Sequence, residues 1–411
     1  MKIQEVFTPR NSTVNNKMYI SRPKLEKKLF RSIQGNMHLL LFGESGNGKS
    51  WLFKHVLSSK NINFAVANAG NISRLGSVTV EICNALIETG NAVKTSYSEE
   101  KKAKISAILA EAEIHHNGNY TIKQDEPLLE AFKYIEDLYP NQKHIIVIDN
   151  LESIFNSEKL LSELADIVLL LDDSRYAKYN VNFLIVGLPL DIFEYFSKTK
   201  NIESISNRMI ELPRVQGLSK EQVNTLIENG FNQLLKYNLS EKHIEIITNE
   251  TYSVTMGIAQ KVHEYCELLA FEIEDNDNKF EISHLDKAQL EWLVQGLRQS
   301  YKIVESNLND RKTKISRRNQ VIYIIGWLSC HQFDATRIEN EIKVKFKNAS
   351  DIKNMGIKDI LTKLSNNEHP LLRKNSKTHD YSLIDPRYAM CIRIALYENS
   401  GMIKKKSFDR Y

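Results

Sequence analysis

No stretch of this chain holds the roughly 18 consecutive apolar residues that a helix needs to cross a bilayer, so no membrane span is expected. The N-terminal MKIQEVFTPRNSTVNNK lacks the apolar core of a secretory signal, so export by that route is not expected. Cysteine is sparse: the four, Cys83, Cys266, Cys330 and Cys391, lie far apart and form no CxxC pair. A zinc cluster and a disulfide frame are both disfavoured, and the thiols are expected to be reduced, acting as small buried apolar side chains. Internal repeats are absent, and at 42% hydrophobic and 26% charged the composition is not that of a long disordered region. These absences leave a soluble chain, expected in the cytoplasm, whose 411 residues suit two or three domains.

Charge is plentiful but unevenly placed. Over 300–411 there are 22 Lys/Arg against 12 Asp/Glu, a net +10, whereas the whole chain is +4, so the remainder carries about −6. Leu25, Leu29 and Ile33 recur at helical spacing within 23–36. HLLLF (38–42), INFAVANA (62–69), HIIVID (144–149) and VNFLIVG (181–187) have strand length, and helical stretches such as WLFKHVL (51–57) and EPLLEAFKYIEDLYP (126–140) alternate with them. That alternation predicts an α/β fold, a parallel sheet covered on both faces. The polar, lysine-rich stretch 94–125 is expected to be an inserted helix and loop, with His115-His116 in a solvated turn.

Beyond Pro213 the patterns are helical: 219–235, 240–252, 256–273 and one long helix over 288–308. Ser219 with Glu221 and Gln222 behind it is a helix N-terminal signature. The tail then predicts helices over 319–330, 334–346 and 355–367, short strands at 371–375 and 381–384, and a closing helix begun by Pro386. Three helices, a hairpin and a helix describe a winged-helix domain. The expected division is a core at 1–215, a helical lid at 216–285, and a linker helix with the winged helix at 286–411.

The sharpest motif is GESGNGKS, Gly43, Glu44, Ser45, Gly46, Asn47, Gly48, Lys49 and Ser50, which matches G-x-x-x-x-G-K-[ST] between a predicted strand and a predicted helix. The glycines let the backbone curl so that its N–H groups face phosphate oxygens, and the helix beginning near Trp51 adds its positive end. Lys49 is expected to neutralise β- and γ-phosphates and the Ser50 hydroxyl to ligate Mg²⁺, with ATP as the nucleotide. Asp149, at the end of a four-residue apolar run, is the expected magnesium-site carboxylate of the second phosphate-site signature; the plainer alternative is an Asp capping a core strand.

In their shared order these residues resemble the AAA+ class, in its prokaryotic origin-recognition-like and STAND-like branch. Phe7, Pro9, Tyr19, Arg22 and Glu26 match that branch's N-terminal segment, which implies that Tyr19 and Ile20 line an adenine pocket; a core aromatic is the other reading of Tyr19. Gly187-Leu188 stands where a polar sensor residue is common. Arg208 matches an arginine finger preceding a strand and the lid, or else is a surface arginine paired with Glu203 or Glu211. Gly257 matches the first position of the lid's G-x-x-R, but Gln260 replaces the arginine, and Lys261 lies about 100° further round the helix. The resemblance implies a nucleotide clamped between core and lid, with a neighbouring copy completing the site.

Where many such hydrolases carry a Glu after the metal-site Asp, this chain has Asn150, which can hold a water but cannot take its proton. Glu152, if it lies on a turn that swings towards the phosphate, and Glu44 inside the loop are the alternative carboxylates; a solvated loop is the plainer reading of Glu152. Slow ATP hydrolysis is therefore expected. In the tail Lys358 and Lys363 on the third helix, Arg373, Lys374 and Lys377 in the wing, and Arg317 and Arg318 before it form a phosphate footprint for double-stranded DNA. The expected function is a homo-oligomeric ATP-driven switch acting through a separate effector protein, with phage defence or a mobile element suggested by the resemblance. The rival is a nucleotide-locked scaffold whose winged helix binds protein.

Overall fold

The computed structural model describes residues 1–91, 126–188, 196, 202–309, 316–330, 332–346, 355–375 and 378–406. The inserted stretch expected at 94–125 falls outside them, as does Lys377. The chain forms two compact units, Asn11–Gln216 and Met1–Arg10 with Gly217–Tyr411.

The first unit is built on five parallel strands, β1 (His38–Phe42), β2 (Asn63–Asn68), β3 (His144–Asp149), β4 (Val181–Gly187) and β5 (Met209–Glu211), in the order β2-β3-β4-β1-β5. The four expected strands are present. Their unbroken apolar runs follow from burial on both faces, since successive side chains alternate sides. Leu39, Leu41, Val147 and Val186 pack with Leu29, Phe53 and Val56 from helices Pro23–Ile33 and Lys49–Ser59. Leu40, Ile146, Ile148 and Ile185 turn the other way, towards helices Val78–Asn91, Pro127–Leu138 and Glu158–Leu169. Parallel strands with crossover helices and a phosphate-type loop after β1 make this a P-loop nucleotide-hydrolase fold.

The second unit is mostly helical. Helix Lys220–Ile227 opens with a reciprocal Ser219–Gln222 capping box and continues as a π-helical turn over Glu228–Leu234. Helices Glu241–Thr255 and Ala259–Glu274 follow. The N-terminal ten residues belong here: the Phe7 ring lies 5.1 Å from that of Phe231, and the Thr8 N–H donates to His263 Nδ1 at 3.2 Å.

The single long helix expected over 288–308 is instead two, Ser283–Gln295 and Arg298–Asn307. The physical cause is local: the N–H groups of Gly296 and Leu297 both bond the Trp292 carbonyl, at 2.8 and 2.9 Å. The Trp292 ring lies over Gly296, where a Cβ would come within 2.7 Å of its Cδ1.

Helices Arg317–Trp327, Ala335–Lys345 and Ile357–Asn366 lead into an antiparallel hairpin, β6 (Leu372–Lys374) with β7 (Tyr381–Leu383), and helix Pro386–Ala395 follows. A second hairpin, β8 (Leu396–Asn399) with β9 (Met402–Lys405), was not expected from sequence. Among the described residues no helix is long and apolar enough to cross a membrane.

Candidate nucleotide site

The carboxyl ends of the central strands converge. Phe42 is in register with Gly187, and Asn68 with Asp149, so the loop after β1 opens beside Asp149 on the edge where open α/β sheets bind ligands. Gly46 and Gly48 both take φ 83°, a conformation that strains any side chain. A Cβ on Gly43 would stand 2.4 Å from the Val215 carbonyl, so the loop closes there only around glycine. Asn47 is buried, its Nδ2 donating to Val215 O at 3.1 Å while its Oδ1 has no hydrogen-bond partner.

Lys49 begins the helix and turns back into the loop, its Nζ donating to the carbonyls of Gly43 at 2.8 Å and Glu44 at 3.1 Å. Burial holds its pKa below the ordinary lysine value, opposed by the nearby carboxylates of Glu152, Asp149 and Glu44. Ser50 Oγ donates to Asp149 Oδ2 at 2.9 Å, which places a hydroxyl and a carboxylate oxygen side by side. That oxygen pair is the donor set a hard divalent cation takes. A glycine-forced loop, the Lys49 cation at its mouth and this oxygen pair together fit a nucleotide with a divalent cation.

Asn150 has left-handed backbone, φ 61° and ψ 43°, and its N–H donates to Asp149 Oδ1 at 2.9 Å. The strand ends at Asp149 and the chain turns into a 3₁₀ turn over Leu151–Ile154. Glu152 therefore lies on a turn, and its Oε2 is buried without a hydrogen-bond partner. Asn150 is exposed, and asparagine tolerates this left-handed conformation better than most residues; the Glu152 charge is close enough to Lys49 to favour its protonated form.

Glu26 accepts from the Tyr19 hydroxyl at 2.8 Å and the Arg22 N–H at 2.6 Å, joining three of the five matched N-terminal positions into one network. Tyr19 stacks on His55 of the loop's own helix, ring centroids 4.0 Å apart. Trp51 Nε1 donates to Asn11 O at 3.0 Å, so this segment runs along that helix, with Ile20 half-buried in it. Tyr19 and Ile20, the positions expected at an adenine pocket, lie side by side in this segment, both half-buried.

Arg208 binds the Asp172 carboxylate and donates to the Ser204 carbonyl. Its own carbonyl accepts from the His38 N–H, at the opposite end of β1 from the loop. At about 3.3 Å per residue, the five-residue length of β1 separates them. Within the second unit, Gly257 takes φ 70° and a Cβ there would stand 2.1 Å from Leu218 O, a packing reason for that glycine. Gln260 and Lys261 both bond Glu264, at 2.9 and 2.6 Å.

Of the basic positions in the tail, Lys358, Lys363, Arg373 and Lys374 are exposed, the first two on helix Ile357–Asn366 and the others on β6. Arg317 and Arg318 are half-buried and engaged, with Gln320 at 2.7 Å and Asn307 at 3.1 Å. Two residues at the nucleotide site went unnoticed in the sequence. Asn68 ends β2 beside Asp149, and Arg214 bonds Glu44 at 2.6 Å.

Residues 31–196 match the model of the AAA domain. No match was found among curated proteins. Among solved structures the chain is similar to the Walker-type ATPase of Pyrococcus abyssi, at 16% identity and TM-score 0.51, over 94% of this chain and 99% of that one. Cdc6p from Pyrobaculum aerophilum matches at 13% identity and TM-score 0.47, over 95% of this chain and 97% of that one. The ADP form of the Aeropyrum pernix ORC2 protein matches at 13% identity and TM-score 0.47, over 95% and 96%. The likeness to the Pyrococcus protein extends the shared fold across both units, beyond the segment matched by the AAA model.

Proposed function

We propose that the chain is a slow, Mg²⁺-dependent ATP hydrolase that works as an oligomeric switch and engages double-stranded DNA through its tail. The supporting observation is the juxtaposition of Lys49, the Ser50–Asp149 oxygen pair and the unpartnered Glu152 Oε2 at the mouth of the loop. In this reading Lys49 and the loop N–H groups hold the phosphates, and Ser50 with Asp149 holds the metal, which draws charge from the phosphate oxygens when bound. Glu152 orients water and takes its proton. Arg208, too far from its own loop, acts on a neighbouring copy after release from Asp172. The resemblance to antiphage and mobile-element ATPases supports placing such a switch upstream of a separate effector protein.

The tail's three helices with β6–β7 and the following helix are read as the winged helix, with Lys358, Lys363, Arg373 and Lys374 as its phosphate contacts. Charge reversal of these four, in a fluorescence titration of a DNA duplex across salt concentrations, is expected to flatten the slope of log K against log salt. Each lost phosphate contact removes about 0.9 from that slope. Absence of binding at low salt would sink the DNA reading. The engagement of Arg317 and Arg318 inside the fold favours the second reading, a nucleotide-bound scaffold that meets protein through this domain. Intact protein that binds Mg²⁺–ATP without turnover and without DNA affinity would establish it.

A further inference from the structure

Arg214 belongs to none of the motifs that define the nucleotide site, yet the backbone carrying it is built into the loop. The Leu212 N–H donates to Leu40 O at 2.9 Å and the Val215 N–H to Phe42 O at 2.8 Å, extending the sheet on both sides of Arg214. Val215 O receives Asn47 Nδ2 and occupies the space that a Cβ on Gly43 would need. From this fixed point the guanidinium reaches Glu44, NH2 to Oε1 2.6 Å, with the two side chains 33% and 28% exposed. A single ion pair at that exposure adds little to stability. Its position matters more, because Glu44 is the loop residue whose carbonyl also accepts Lys49 Nζ.

Glu44 is thus a negative charge inside a loop shaped for negative ligands, and Arg214 is the cation that offsets it. A polyphosphate on the loop repels the carboxylate and competes for the same planar donors, which suit phosphate oxygens as well as carboxylate. We propose that Glu44 and Arg214 form a phosphate-sensing pair. Glu44 holds Arg214 when no γ-phosphate is present, and a nucleoside triphosphate displaces Glu44 and takes the guanidinium for its terminal phosphate. Arg214 then positions the triphosphate and sets preference for it over the diphosphate. The inference rests on the reading of the loop as a nucleotide site.

The test is equilibrium binding of fluorescent ADP and of a fluorescent non-hydrolysable ATP analogue, with Mg²⁺, to the full chain. Arg214→Ala is expected to weaken the triphosphate by about tenfold or more while changing ADP by less than about threefold, and Arg214→Lys to restore part of the difference. Glu44→Gln is expected to tighten the triphosphate, and to have no such effect in the Arg214→Ala background. Equal weakening of both nucleotides by Arg214→Ala, no weakening of either, or a Glu44→Gln effect that persists without Arg214 would overturn the sensing pair and leave the nucleotide site standing. Failure of the unmodified protein to bind either nucleotide would overturn the site and the pair together.

Discussion

At residue scale the unusual position is Asn150, and its backbone conformation explains its presence better than its side-chain chemistry does. With φ 61° it follows β3 and turns the chain into the 3₁₀ turn that carries Glu152, two residues on, whose charge acts on Lys49. In the proposed reading Glu152, carried on this turn, takes the part that a carboxylate directly after Asp149 plays in many such hydrolases. Glu152→Gln is expected to lower ATP turnover by about 100-fold or more, the range of general-base loss, with nucleotide affinity unchanged. Asn150→Gly, which adopts the same left-handed conformation freely, is expected to keep turnover within a few-fold. Steady-state phosphate release alongside nucleotide binding checks both. Turnover that survives Glu152→Gln but is lost in Asn150→Gly would reverse the two roles.

At the scale of elements, legibility followed physical constraint. β1, β3 and β4 were readable because strands buried on both faces must be continuously apolar, and the phosphate loop because its backbone needs glycine at fixed places. The break after Gln295 was not readable: it depends on Trp292 folding over Gly296, a contact that helical periodicity does not encode. Nor was Arg214, whose meaning comes from a connection beside β5 meeting a loop some 170 residues earlier. Close element contacts also fix the tail. A Cβ on Gly326 would stand 2.3 Å from Ile392 Cγ2, so helix Arg317–Trp327 approaches helix Pro386–Ala395 through that glycine. Gly326→Ala is expected to cost about 1–3 kcal/mol by overpacking, measured by urea denaturation. Adding Ile392→Ala, which removes the obstructing atom, is expected to cost less than the sum of the single changes.

At the scale of the whole molecule, each unit holds one buried histidine with a strongly lowered pKa, His38 in the first and His263 in the second, and both add to the chain's response to acid. His38, in the first unit, accepts the Phe183 N–H on Nδ1 at 2.9 Å and meets Val168 O through Nε2 at 3.0 Å. His263, in the second, accepts the Thr8 N–H on Nδ1. Burial lowers both pKa values from 6.5 to about 4. Between those values the unfolded chain binds protons that the folded chain refuses, so stability rises with pH across the window and falls as acid is added. From pH 6.5 to pH 5 each histidine is expected to remove about 1.5 kcal/mol, before most carboxylates titrate. Protonation at Nδ1 would also end the backbone hydrogen bond each ring accepts, which ties the N-terminal segment to the second unit at Thr8. Urea denaturation at pH 7, 6 and 5 should show this slope, and His38→Gln and His263→Gln should each flatten it whatever their effect at pH 7. Since the two residues lie in different units, a slope that one substitution removes entirely would mean that only one unit governs acid unfolding.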